Sequence, residues 1–137
     1  MMKKSLIGVI LMGALAYWGY TNFFTANEVA TGAPLVAVTV PTLSADDKLG
    51  ETAFNENCAT CHGENAAGQD GVAPPLVHKI YEPNHHGDMA FVMAAKRGTR
   101  QHHWRFGNMP PQPQVTEEEM IKIITYVRTL QRANGIN

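Results

Sequence analysis

CATCHG, residues 58–63, is the stretch on which the fold turns. Two cysteines three positions apart, with a histidine directly behind them, suit three chemistries: a redox disulfide, half of a zinc site, or covalent attachment of a haem. The rest of the chain decides among them. Cys58 and Cys61 are the only cysteines in 137 residues. A four-ligand structural zinc site draws on a second Cys pair, or on a distant His pair at set spacing. There is no second Cys pair, and His85-His86 and His102-His103 are adjacent doublets. A thioredoxin-like Cys-x-x-Cys belongs beside a βαβ pattern, which this sequence lacks. Covalent haem attachment remains.

That chemistry needs this order of residues. Each thiol adds to one vinyl group, giving two thioether bonds, and the next residue delivers an imidazole to the iron. Cys58 and Cys61 lie about one helical turn apart, so both face one porphyrin edge. His62 follows at once, which holds its ring on the proximal side. The net charge of −1 supplies no basic field for nucleic acid.

The N-terminal end reads as a membrane segment. After Met-Met-Lys-Lys, residues 6–24 run without a charge. A cleaved signal peptide and a retained anchor compete for this stretch. Cleavage fits poorly: a cut after Ala26 puts Phe24 at −3, one after Ala30 puts Glu28 there, and one after Ala33 is followed by Pro34. Nineteen uncharged residues reach spanning length, and Tyr17, Trp18 and Tyr20 cluster where an aromatic belt would sit. The reading is an anchor over 1–24, oriented by Lys3 and Lys4, a linker over 25–43, and an exported domain over 44–137. Within the linker, Leu35 to Val40 has strand character between Pro34 and Pro41, with Val36, Val38 and Val40 on one face. Such a strand would be ordered against protein, either at a partner's sheet edge or on the domain's own surface.

The domain itself reads as all-α. Ser44 with Asp47 makes a capping-box-like start, and Gly50, Phe54 and Cys58 recur every four residues into the CATCHG motif. A second helix is expected from Asp88 to Arg97, closed by Gly98, with Met89 and Met93 packed in the core. Thr116 to Glu119 is a capping box opening the last helix. Its apolar stripe is Met120, Ile123, Ile124, Val127 and Leu130, ended by Asn134-Gly135.

A haem held by His62 needs a sixth ligand or an open position. Asn108-Met109-Pro110-Pro111 offers a thioether from a loop stiffened by two prolines. A soft neutral sulfur stabilises ferrous iron, and it closes the iron to small molecules. His78, His85, His86, His102 and His103 offer a bis-His alternative or a second metal site, but none sits in so constrained a loop. Propionate carboxylates in a poorly solvated pocket need donors. Arg97, Arg100, Trp104 and Arg105 are the nearest in sequence to the Met loop, and Trp104 and Arg105 are the candidates taken forward.

Together, Gly50-xxx-Phe54-xxx-Cys58-Ala-Thr-Cys61-His62-Gly63, Gly71-Val-Ala-Pro74-Pro75-Leu76, Asn108-Met109-Pro110-Pro111 and the last helix with Tyr126 resemble the class I c-type cytochromes. The resemblance implies a small helical fold around one covalent haem c, with His62 and Met109 axial. It also implies that Gly50 lets the first helix cross the last near Tyr126. Pro74 would offer its carbonyl to the proximal imidazole, and Leu76 would line the haem pocket. Two features depart from the family: the abundance of His in the loop Tyr81 to Gly87 and the stretch Arg100 to Phe106, and the charge. From residue 25 onward nine Lys and Arg stand against twelve Asp and Glu, so a lysine ring around the haem edge is not expected.

The function expected is single-electron transfer between redox proteins of a respiratory or photosynthetic chain. The protein would be tethered to a bacterial inner membrane with its domain in the periplasm, and would act on no small-molecule substrate. The alternative is a fixed haem subunit of a larger membrane enzyme. A haem enzyme or gas sensor would need an open sixth position, against which Met109 argues.

Overall fold

The computed structural model describes residues 12–20 and 31–137. Residues 12–20 are helical, and the remainder of the anchor expected over 1–24 lies outside the described residues. Among the described residues no helix is long and apolar enough to cross a membrane.

Four helices organise the domain. Helix α1, Ala45–Asn57, runs into a single turn, α2, Ala59–His62. Helix α3 spans Asp88–Arg97 and α4 spans Glu117–Ala133. Among the described residues there are no strands, only two isolated bridges, Gln69 with Ala73 and Thr99 with Met109. Local chemistry sets the helix ends. The Ser44 hydroxyl accepts from the Asp47 N–H at 3.1 Å, and the Asp47 carboxylate accepts in return from the Ser44 N–H at 3.0 Å. Thr116 and Glu119 repeat the exchange at the start of α4. Each such cap contributes about 1 kcal/mol. Gly98, at φ +71°, stops α3.

The core lies where α1 crosses α4. Phe54 and Tyr126 are fully buried, their rings 5.7 Å apart and tilted by 54°. Ile123, Val127 and Leu130 complete the buried stripe of α4. Burying each of these side chains stabilises the fold by about 1.5–3 kcal/mol. Gly50 makes the crossing possible: a Cβ there would lie 2.2 Å from the Lys122 carbonyl oxygen and 2.8 Å from the Tyr126 Cβ.

Two expectations change. The Met89–Met93 pair is split, because α3 covers the domain with one face only. Met93 lines the cavity described below, whereas Met89 is 67% exposed. Residues 34–41 form no strand, since the fold presents no sheet edge for them to extend. They dock instead on the domain's own surface. The Leu35 and Val36 N–H groups both donate to the Ala67 carbonyl, at 3.1 and 3.2 Å. The Asn134 side chain clasps Thr39, accepting from its N–H and donating to its carbonyl, each at 2.9 Å. Val38 and Leu43 pack against the core, while Val40 stays exposed. Just before them, Thr31 donates to the Asp70 carboxylate from backbone and side chain.

Candidate functional site

A cavity of about 560 Å³ opens between the CATCHG motif and the loop after α3. Cys58, Cys61 and His62 line it, and so do Pro74 and Leu76. Trp104 and Met109 line it from the other loop. All seven come from two short segments, 58–76 and 104–109, held in place by backbone hydrogen bonds.

The first segment folds back on the motif. Gly68 N–H donates to the His62 carbonyl at 2.7 Å, and the Gln69 side-chain amide donates to the carbonyls of Ala59 and Thr60 at 3.1 and 2.9 Å. Gly68 has φ +74°, and a Cβ there would lie 2.5 Å from the Pro75 nitrogen, so only glycine brings the Pro74-Pro75 pair this close. The return places the Pro74 carbonyl 2.9 Å from His62 Nδ1. A carbonyl only accepts, so Nδ1 carries the proton and Nε2 keeps its lone pair. This bond fixes the ring's orientation and makes it a better donor to a metal. Burial holds the His62 pKa below the ordinary imidazole value, against the opposing pull of the Pro74 carbonyl. The ring is therefore neutral at physiological pH.

The thiols carry their own information. Burial, with a smaller contribution from Cys61, pushes the Cys58 pKa up to about 11. Redox-active cysteines have depressed pKa values, so this environment argues against a thiol–disulfide exchange centre. Cys61 is exposed, which brings the motif's edge to the molecular surface.

The second segment is pinned through Met109. Thr99 and Met109 exchange both backbone hydrogen bonds at 3.0 Å, immediately after the stop at Gly98. The Asn108 side chain accepts from the Gln101 N–H at 3.1 Å, and Gln112 N–H donates to the Ala95 carbonyl at 2.7 Å. These contacts fix the Met109 backbone at the edge of the cavity.

Trp104 presents a further requirement. Its Nε1 is buried and has no hydrogen-bond partner, although the Tyr81 hydroxyl is close enough to be influenced by it. An atom shut off from solvent does not front the open cavity, so Trp104 lines the cavity with its ring while the indole N–H lies toward the Tyr81 hydroxyl. The cavity's size is also within the range of cofactor sites. Of the arginines, Arg97 and Arg100 line the cavity, but Arg105 does not. Trp104 and Phe106 stack with centroids 5.8 Å apart, and both line the cavity, so the intervening Arg105 is turned out and exposed.

Sequence reasoning missed the support behind this wall. Arg128 on α4 is only 7% exposed. Its guanidinium donates to Asp88 Oδ1 at 2.8 Å, to the Tyr81 carbonyl at 2.7 Å and to the His86 carbonyl at 2.5 Å. Gln131, fully buried, donates to the Leu76 carbonyl at 2.8 Å. On the other side, the Tyr126 hydroxyl donates to Asn65 Oδ1 at 3.1 Å, steadying a turn in which Asn65 and Ala66 both have positive φ. Burial, aided by Glu51 and Glu64, pushes the Tyr126 pKa up to about 12, so the hydroxyl remains a donor. Polar residues on an otherwise regular helix were the available signal, but their partners lie 40 or more positions away.

The histidines outside the motif are not scattered. His85, His86, His102 and His103 converge beside the cavity, whereas His78 packs edge-on against Trp104 at 5.2 Å. Partial desolvation, then the neighbouring imidazoles, depresses the His103 pKa.

Set against known protein families, residues 48–131 match the family described as Cytochrome c. Neither the curated proteins nor the solved structures contain a match.

Proposed function

The chain belongs to the cytochrome c family, and on that premise we propose that it passes single electrons between redox proteins of a respiratory or photosynthetic chain, from a domain held at the periplasmic face of a bacterial inner membrane. Covalent haem c is the family's cofactor, and Cys58 and Cys61 are spaced to carry it. When bound, it supplies a reversible one-electron couple. The protein's residues do the rest. His62, its Nδ1 proton engaged by Pro74, offers Nε2 as proximal ligand. Met109, on its pinned loop, would offer a thioether sulfur as the second ligand, which would favour the ferrous state and close the iron to small molecules. Leu76, Trp104 and Phe106 supply a largely apolar lining that would keep the pocket dry.

The observation that carries this reading is one apolar cavity lined both by His62 and by a Met109 whose backbone is bonded on both N–H and C=O. The exposed Cys61 supports electron exit at the attachment edge, without access to the iron. The test is the ferric spectrum and midpoint potential of the holoprotein. Met109→Ala should abolish the far-red sulfur-to-iron band, and Met109→His should lower the potential. Retention of both the band and the potential in Met109→Ala would refute the ligand assignment.

The docking of residues 31–43 favours membrane-resident partners. This makes a haem subunit associated with a larger membrane complex the second reading.

A further inference from the structure

We propose that His85, His86 and His103 form a second metal site, built to take a divalent transition ion of the Cu(II) or Zn(II) kind at the solvent edge of the haem cavity. One ring nitrogen from each of the three lies within 4.8 Å of the other two. The closest pair, His85 Nε2 and His103 Nε2, is 3.3 Å apart. A tetrahedral ion with metal–nitrogen bonds of about 2.0–2.1 Å sets its ligand nitrogens about 3.3–3.4 Å apart. The spacing of this pair therefore already equals the bite of a bound ion. The third nitrogen has only about 1–1.5 Å to close to reach the same spacing.

The tautomers are arranged for ligation as well. His86 Nδ1 sits 2.7 Å from the Ile80 carbonyl and must donate to it, which leaves Nε2 with its lone pair. His102 is held the same way, its Nδ1 donating to the Arg100 carbonyl at 2.8 Å. Its ring lies 4.4 Å from that of His103, placing a fourth imidazole beside the cluster. A backbone carbonyl behind a ligating imidazole is the usual outer-shell support of a metal-binding histidine. His78 gives the contrast: its Nδ1 accepts from the Ile80 N–H at 3.2 Å, and it stands apart from the cluster.

Framework and access agree with this assignment. Arg128 fixes the segment before α3 through the Tyr81 and His86 carbonyls, and the Asn108–Gln101 bond closes the loop carrying His102 and His103. His85 and His103 are exposed, so an ion enters from solvent and retains a position for water or an exogenous ligand. His86 and His103 also line the haem cavity. Three imidazoles without a carboxylate or thiolate select borderline ions such as Cu(II) and Zn(II) over Ca(II) or Mg(II).

The site stands on its own residues and does not depend on how the haem iron is ligated. Its test is calorimetric titration of Zn(II) into the untagged ferric holoprotein, followed by electron paramagnetic resonance with one equivalent of Cu(II). One Zn(II) per chain should bind, and the Cu(II) spectrum should carry hyperfine structure from two or more imidazole nitrogens. His85→Ala and His103→Ala should each weaken Zn(II) by about 100-fold or more, since loss of an outer-shell partner alone costs about 10–100-fold. His78→Ala should bind as the wild type does. Haem absorbance recorded on each variant reports whether the cofactor pocket is intact. Absence of stoichiometric binding, wild-type affinity in His85→Ala and His103→Ala, or a Cu(II) spectrum with no more than one imidazole nitrogen would overturn the assignment.

Discussion

Replacing Gly50 with alanine should destabilise the domain, although the same change in an open helix would stabilise it. In a solvated helix interior alanine is better than glycine by about 1 kcal/mol. Here the added methyl would meet the Lys122 carbonyl oxygen at 2.2 Å, about 1.2 Å inside the 3.4 Å at which ordinary contact begins. The second obstacle, the Tyr126 Cβ at 2.8 Å, belongs to the same helix. Neither atom can move by a side-chain rotation, so α1 and α4 must separate, loosening the Phe54–Tyr126 contact beneath them. Overpacking of this kind costs about 1–3 kcal/mol, and rigid obstacles place Gly50→Ala near the upper end. Less the gain in helix propensity, the net loss is about 2 kcal/mol. For a domain of this size that lowers the melting temperature by about 8–16 °C. Thermal unfolding of the ferric holoprotein, followed by circular dichroism, reads the effect. A melting temperature equal to or above the wild type's would refute the close crossing.

Arg128→Met should cost about 1–3 kcal/mol in denaturant unfolding, because it leaves the His86 carbonyl without its buried donor, while the exposed Asp88 turns to water and the Tyr81 carbonyl keeps Gln131; a loss well below about 1 kcal/mol would mean the network is dispensable. Trp104→Phe removes the buried indole N–H that lies toward the Tyr81 hydroxyl, so the holoprotein should lose about 0.5–1.5 kcal/mol, the worth of a neutral hydrogen bond. An unchanged stability would show that this pairing holds nothing in place. Asp47 has its pKa lowered by the Ser44 hydroxyl first and Thr129 second. Its folded value lies below its unfolded value, so the stabilisation is present above about pH 4 and is lost as pH falls through the folded pKa. The stability gap between wild type and Asp47→Asn should accordingly be full at pH 6 and shrink toward pH 3, and a gap independent of pH would contradict the cap's ionic character.

Helix boundaries were legible in the sequence because they are set within a few residues. Ser44 with Asp47, Thr116 with Glu119, and Gly98 each form the contacts their spacing implies. The cavity's two segments were legible for a similar reason: CATCHG and Asn108-Met109-Pro110-Pro111 are short and chemically restrictive. What stayed hidden depends on partners distant in the chain. The valines at 36, 38 and 40 read as a strand, yet the outcome was decided by Ala67 and Asn134, which satisfy the segment's backbone without a sheet. Arg105 and Trp104 looked equivalent as donors, and only the stacking of Trp104 on Phe106 separated them. The two histidine doublets lie 17 positions apart in sequence, so their convergence needed the loops on either side of α3 to be placed.

Reduction of the holoprotein under carbon monoxide tests the electron-carrier reading most directly. If Met109, whose backbone is bonded to Thr99, ligates the iron as proposed, no position is left open to a gas. The potentiometric titration should then be a single one-electron wave, and the ferrous spectrum and midpoint potential should be the same with and without the gas. Rapid carbon monoxide binding, seen as a shifted ferrous spectrum and a raised apparent potential, would contradict the account and identify a site open to small molecules.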